Sequence, residues 1–332
     1  LRAALLALAL AVVGAAGVVS IARERLGPLR VGAPEVLFEV QRGASLGGVA
    51  RALEADGLVR DARAVEWLAR FRGVAESLRA GEYRLSAAMT PGEILEQLTE
   101  GRVVTYAVVL PEGFTAAQIA ARLEARHLAG AEAFSAAARD ADLAHELGVP
   151  AASLEGYLYP DTYHLPRGLP EREIARMMVE QFHQAWAEIE PLARERGLEM
   201  HEVVTLASIV EKETGAPEER PLIASVFANR LERGMRLESD PTVIYGIADF
   251  DGNLRRRDLE NDANAYNTYQ HPGLPPGPIA SPGLAALRAV VEPADSDYLY
   301  FVSRNDGTHR FSRNYRDHVN AVNHYQRRGR SK

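Results

Sequence analysis

The sequence predicts an α+β protein: an N-terminal transmembrane helix, a small strand–helix–helix–strand domain, and a larger mixed α/β region. Three observations carry this. Residues 3–22 are an uncharged, apolar run of about twenty residues, a length that spans a bilayer core. Between Val36 and Leu85 the hydrophobic period switches from strand to helix and back. Beyond Gly101, capped helical segments alternate with short β-prone runs and with loops rich in glycine and proline. These divisions give residues 1–27 as the anchor, 28–101 as the small domain, 102–195 as an intermediate α/β region and 196–332 as the region of densest chemistry.

The apolar run is bracketed by Arg2 and by Arg23 and Arg25. A cleaved signal peptide is its rival, but the run exceeds the usual signal core and shows no convincing cleavage site. An uncleaved anchor is therefore expected, with too few flanking charges to orient it. Composition narrows the rest. The chain has 332 residues, 47% hydrophobic and 25% charged, with a net charge of −7 and no dense basic stripe, which argues against nucleic acid as a partner. There is no cysteine, so thiol nucleophiles, disulfides and cysteine metal sites are excluded. Histidines and carboxylates do not fall in a ligand pattern, and neither metal nor cofactor is expected.

Gly27-Pro28 and Gly32-Ala33-Pro34 read as a short linker. Val36 to Val40 alternates as a strand. Ser45 then caps a helix through Leu53, a second helix runs from Ala62 to Phe71, and Gly81 to Leu85 returns as a strand. Thr90-Pro91-Gly92-Glu93 starts a further helix ending near Gly101, Val103 to Leu110 is a strand, and Thr115 caps the next helix. Residues 130–150 are alanine-rich helix and loop. Glu155 to Tyr163 is an aromatic, polar and turn-forming loop. Arg172 to Arg196 reads as a scaffold helix, with Ile174, Met178, Phe182 and Ile189 in line.

The next helix runs through Val203 to Glu213, with Gly215 as its expected glycine stop. Leu206 and Glu213 are seven apart, within about 20° of each other, and Glu211 projects roughly 160° away. A carboxylate is thus aimed along an apolar stripe, where burial raises its pKa toward the range of a general acid. After a helix from Pro221 to Arg233 comes the polar turn Ser239-Asp240-Pro241-Thr242, feeding a short apolar element. Tyr266-Asn267-Thr268-Tyr269 then precedes a proline-stiffened loop, Gly273 to Ile279. Ser281-Pro282-Gly283 restarts a helix through Val291. Asp297 to Val302 and His309 to Ser312 form a hairpin about Asn305-Asp306-Gly307. A final helix carries His318 and Tyr325.

The order of elements in the small domain resembles the LysM module, which binds N-acetylglucosamine-containing glycans. The strings LEGYLYPDTY, EKET, SDPTVIYG, YNTY, GLPPGPI and YLYFV…HRFS, in this order, resemble the MltG/YceG family of endolytic murein transglycosylases. That resemblance implies a membrane-anchored lyase that cuts the β-1,4 bond between N-acetylmuramic acid and N-acetylglucosamine in peptidoglycan, leaving a 1,6-anhydromuramoyl end. It also implies a place at the bacterial inner membrane, with the catalytic region on the extracytoplasmic side and peptidoglycan synthases as possible partners.

Hydrolytic glycosidases generally need two carboxylates. A lytic enzyme can use one, which protonates the leaving oxygen and then accepts the C6 hydroxyl proton. The resemblance places that glutamate in EKET. The helical face and the similarity of Glu-Thr to the Glu-Ser pair of other lytic transglycosylases select Glu213, with Glu211 as the alternative. Asn229, Asp240, Thr242, Tyr245, Tyr266, Asn267 and Tyr269 are candidates to line the groove and bind substrate, with Glu155 and Asp161 behind them. His309 and His318 read as ordinary surface or hairpin residues. Two other functions fit parts of the sequence: a non-catalytic peptidoglycan-binding scaffold, and a pyridoxal-phosphate lyase using Lys212, the one lysine besides Lys332.

Overall fold

The computed structural model describes residues 24–327, so the apolar run at 3–22 lies outside the described residues. The described chain divides into two compact units, the first made of residues 24–106 with His164–Gly168, the second of Ala107–Tyr163 and the chain from Leu169 onward.

In the first unit, β1 (Glu35–Val40) and β2 (Gly81–Ser86) pair antiparallel, with Phe38 opposite Tyr83. Between them lie α1 (Leu46–Ala55) and α2 (Ala62–Phe71), and α3 (Pro91–Glu100) follows. Each helix starts where a short polar side chain takes an orphan amide. Ser45 accepts from the Gly48 amide, Asp61 from Arg63, and Thr90 with Glu93 forms a reciprocal capping box. Phe38, Leu53, Val65, Leu85, Ile94 and Leu98 fill the core, and the Tyr83 hydroxyl donates to the Arg79 carbonyl at 2.6 Å, so its polar tip is satisfied. The order strand–helix–helix–strand is the one the hydrophobic periods predict.

The second unit holds most of β3 (Tyr106–Val109), α4 (Ala116–Ala125), α5 (Ala131–Ala138), α6 (Ala141–Glu146) and the start of β4 (Thr162–Leu165). It continues with α7 (Glu171–Glu195), α8 (Met200–Glu213), α9 (Arg220–Glu232), α10 (Asp240–Tyr245), α11 (Arg256–Leu259) and α12 (Leu284–Val291). The hairpin β5 (Tyr300–Ser303) and β6 (His309–Ser312) and the helix α13 (Tyr315–Val322) close it. Strand β3 is shorter than the expected Val103 to Leu110. Tyr325 lies past α13, in the single turn Asn323–Arg327.

Helix α8 is the axis of this unit, packed by α7, α9, α10 and α12. Every residue from Val203 to Val210 is buried, so α8 has no solvent face there. This corrects the expectation of a one-sided apolar stripe. Two loops lock onto it. The Ser208 hydroxyl accepts from the Ile279 amide at 3.0 Å, and Tyr157 bonds His201 Nδ1 at 2.9 Å, while His201 Nε2 lies 3.2 Å from the Pro276 carbonyl. Gly156, at φ +83°, lets its loop touch Pro278, since a Cβ there would stand 2.3 Å from the proline side chain. LEGYLYPDTY and GLPPGPI are therefore largely scaffold. Gly215 also has a different reason from the expected one. It is not left-handed; a Cβ on it would meet the Gly307 carbonyl oxygen at 2.6 Å, so the glycine admits the β5–β6 turn.

Candidate active site

Glu213 is the last residue of α8, where the negative end of the helix dipole already opposes ionisation. Its carboxyl is largely buried on the wall of a cleft, and its Oε1 accepts a 2.6 Å bond from the Ser239 hydroxyl. Burial pushes its pKa up to about 7; the Ser239 bond works against that rise, and the neighbouring Asp240 adds to it. Among the described residues no cation pairs with it. Ser239 and Asp240 are delivered by the start of α10, with Ser239 at the N-cap and Pro241 in the first turn.

Glu211 is the instructive contrast. Its side chain is only 7% exposed, so the helical face does not separate the two glutamates by burial. Counter-charge does. Glu211 Oε1 lies 2.9 Å from Arg220 Nη2, and its other oxygen accepts from the Gly283 amide at 3.1 Å. Arg220 also holds Glu112 at 3.2 Å. Burial and the Glu211 charge raise the pKa of Glu112, and Arg220 opposes them. Glu211 thus has a cation against it and Glu213 has none, and a buried carboxyl without a cation keeps its proton near neutral pH. Lys212 points elsewhere and donates to the Gly113 carbonyl at 3.2 Å.

Glu213 opens on a cleft of about 430 Å³, shared with Asp240, Tyr269, Arg230, Glu238 and the hairpin residues Phe301, Ser303 and His309. The Tyr269 hydroxyl donates to Asp240 at 2.7 Å, and burial with that carboxylate raises the tyrosine's pKa. Arg230 is buried and fixed by the Leu299 and Leu237 carbonyls at 2.7 and 2.9 Å. His309 bonds Glu219 at 2.7 Å, and His318, on the cleft wall, stacks on Tyr300 with centroids 5.1 Å apart. Burial and the Arg230 charge depress the His318 pKa, keeping the ring neutral. His309 is a hairpin residue, as expected, and both it and His318 also line the cleft, which the sequence reading did not anticipate.

The remaining candidates divide. Glu155 and Tyr245 line a separate cleft of about 560 Å³ with Thr115, Gln118 and Arg139. Glu155 accepts from the Ala116 amide at 3.0 Å and from the Tyr245 hydroxyl at 3.2 Å, and burial pushes its pKa up to about 7 against both bonds. Tyr266 stands edge-on to Tyr245, centroids 4.7 Å apart. Three candidates are bound up in the framework. Asn229 donates to the Ser296 and Tyr298 carbonyls at 2.8 and 2.9 Å. Asn267 is fully buried and gathers the carbonyls of Asp258, Leu259 and Asn261. Thr242 is fully buried, bonded to the Ser239 carbonyl at 2.7 Å and to Thr268 at 2.8 Å. Asp161 is exposed and caps its own turn through the Thr162 amide. Sequence reasoning missed Ser239, Arg230, Glu238 and the hairpin wall. Ser239 and the hairpin both stood in strings already noted; that the hairpin walls the Glu213 cleft is a tertiary contact across about 90 residues, which no local pattern announces.

Comparison with known proteins agrees with this architecture. The YceG-like family matches residues 38–324. The endolytic murein transglycosylase of Bacillus subtilis (strain 168) is 29% identical over 308 residues, covering 87% of this chain and 84% of its own length. That of Streptococcus pneumoniae (strain D39) is 30% identical over 318 residues, 86% of this chain and 58% of the longer relative. The crystal structure of a YceG-like protein from Listeria monocytogenes superposes with a TM-score of 0.60 at 32% identity, covering 86% of this chain and 98% of that one. The match to the family over most of the chain bears out the resemblance of its motifs: this protein belongs to the YceG-like family.

Proposed function

We propose that the protein is an endolytic murein transglycosylase, a lyase acting within peptidoglycan glycan strands, with Glu213 as its single acid and base. One observation carries the assignment of the acid: a buried carboxyl without a counter-cation, open to a cleft, two residues from an ion-paired carboxylate that cannot serve. Protonated Glu213 gives its proton to the glycosidic oxygen as the C1–O bond breaks. The carboxylate so formed takes the proton of the muramic acid C6 hydroxyl as O6 bonds to C1. The sugar closes to its 1,6-anhydro form, and Glu213 is again protonated with no water consumed. Asp240 stands beside it as a fixed negative charge facing the oxocarbenium-like centre, and Tyr269 holds Asp240 in place. Tyr245, Tyr266 and Glu155 serve the glycan farther along the chain.

Residues 3–22 anchor the enzyme in the bacterial inner membrane with the second unit on the extracytoplasmic side, in reach of synthases. The LysM-like order of the first unit favours a glycan-binding role. Digestion of purified glycan strands with mass spectrometry of the ends is the test. Anhydro ends support the lytic reading, reducing ends replace it with hydrolysis, and unchanged strands leave a binding scaffold.

The pH dependence gives a sharper check. Catalysis needs protonated Glu213, so kcat/KM falls as pH rises through about 7. Asp240→Asn removes a like charge, which lowers the pKa and moves that falling limb to lower pH. Ser239→Ala removes a bond that favours the carboxylate and moves the limb to higher pH. Opposite displacements in the two pH–rate profiles are expected; a shared direction would contradict Glu213 as the titrating acid.

A further inference from the structure

The exposed face of α2 carries Arg63, Trp67, Arg70 and Phe71, at helical spacings that put all four on one side. Val65, Leu68 and Ala69 on the opposite side fill the core. Trp67 and Phe71 are 58% and 75% exposed, and their rings stack at 5.2 Å with planes 11° apart. Glu66, beside this face, is engaged by Arg70 at 3.0 Å. Two large aromatics among arginines stabilise nothing in the core of their own unit.

The chain fixes where this face stands. Asp61, the N-cap of α2, is ion-paired with Arg25, and Leu26 packs on the core of the first unit. The apolar run ends at Ala22. Arg25 follows it three positions on, at most about 11 Å of extended chain. Along α2, Trp67 and Phe71 lie about 9 and 15 Å beyond Asp61. An indole with a polar edge and arginines that extend toward phosphates are the composition of a bilayer interface. A sugar platform would leave both ring faces free and surround them with hydrogen-bonding amides and acids. Here each ring covers one face of the other, the residues flanking them on the face are arginines, and the one acid beside them, Glu66, is taken up by Arg70.

We propose that the Arg63–Trp67–Arg70–Phe71 face of α2 docks on an anionic phospholipid bilayer, a second membrane contact that sets how the first unit stands on the membrane. It rests on the anchor reading of residues 3–22. Arg63 and Arg70 meet the anionic headgroups, and the Trp67–Phe71 pair enters the headgroup level.

The test uses the full chain in vesicles of phosphatidylglycerol and phosphatidylethanolamine. The chain holds two tryptophans, and Trp186 is 6% exposed, so Trp186→Phe leaves Trp67 as the reporter. Flotation with the vesicles reads the anchor, and quenching reads the face. Brominated acyl chains should quench Trp67 on the order of twofold, with aqueous iodide having little effect. Arg70→Glu with Phe71→Ser should abolish most of that quenching while flotation and cleavage of soluble glycan strands stay unchanged. A floating chain whose Trp67 is open to iodide and untouched by bromine overturns the docking and leaves the anchor standing. Failure to float removes the anchor reading and the docking with it. A blue shift of Trp67 produced by soluble glycan strands in place of bromolipid quenching makes the face a sugar platform and also overturns it. If Trp186→Phe unfolds, the difference spectrum between the wild type and Trp67→Ala supplies the same reading.

Discussion

Glu213→Gln is expected to lower the formation of anhydro ends by roughly 10²–10⁴-fold, toward the upper end because one group serves in both proton transfers. The amide fills the same space and its carbonyl still accepts the Ser239 hydroxyl. Stability should move the other way. A carboxyl raised in the folded state binds its proton more tightly when folded than when unfolded. Stability is therefore lost as pH rises from the ordinary 4.5 to about 7 and stays lower above that. The gap corresponds to about 3 kcal/mol as an order of magnitude. Glu213→Gln removes this penalty, so the variant should melt higher than the wild type at pH 8 and alike at pH 4. Equal melting temperatures at pH 8, or retained production of anhydro ends, would show that Glu213 is not the buried acid. Glu211→Gln supplies the contrast: it should cost stability while keeping most of the activity per folded molecule.

The second large effect belongs to the ion cluster behind the site. Arg220→Met is expected to destabilise the protein by about 3–5 kcal/mol, because it leaves Glu211 buried without its partner. Glu112 loses the same cation, which now opposes the rise in its pKa. Denaturant melts at pH 8 measure the loss. Loss of Arg220 removes the cation that lowers the Glu112 pKa, so Glu112 takes up its proton at higher pH and the deficit should shrink as pH falls. A deficit independent of pH would mean that packing, and not charge, is what Arg220 supplies.

Much of the fold is legible in the sequence because its signals are local. Ser45, Asp61, Thr90 and Thr115 each begin a helix with a side chain on an amide two or three residues ahead. Ile174, Met178, Phe182 and Ile189, in line on α7, are all fully buried. The failures are non-local. Helix α8 shows one apolar stripe in its sequence, yet Thr205, Ala207 and Ser208 are buried too, because small residues admit neighbours that no periodicity reveals. Glu211 and Glu213 differ through Arg220, which sits on another helix. The candidates around Glu155 and Glu213 read as one groove because the short helix α10, carrying Asp240 at one end and Tyr245 at the other, was legible only as a turn and an apolar element. The aromatic run Glu155 to Tyr163 concealed the start of β4 for a similar reason, since turn residues lead straight into strand residues there.

The burial of α8 from Val203 to Val210 has a consequence for how the enzyme fails. Amides enclosed on every side exchange with solvent only when the surrounding unit opens, so α8 belongs to the last structure lost on unfolding. Glu213 is the last residue of this helix, within one turn of the buried stretch. The position of the acid is thus not a loosely held local feature that heat erodes first, but a property of the whole second unit, lost when the unit itself opens.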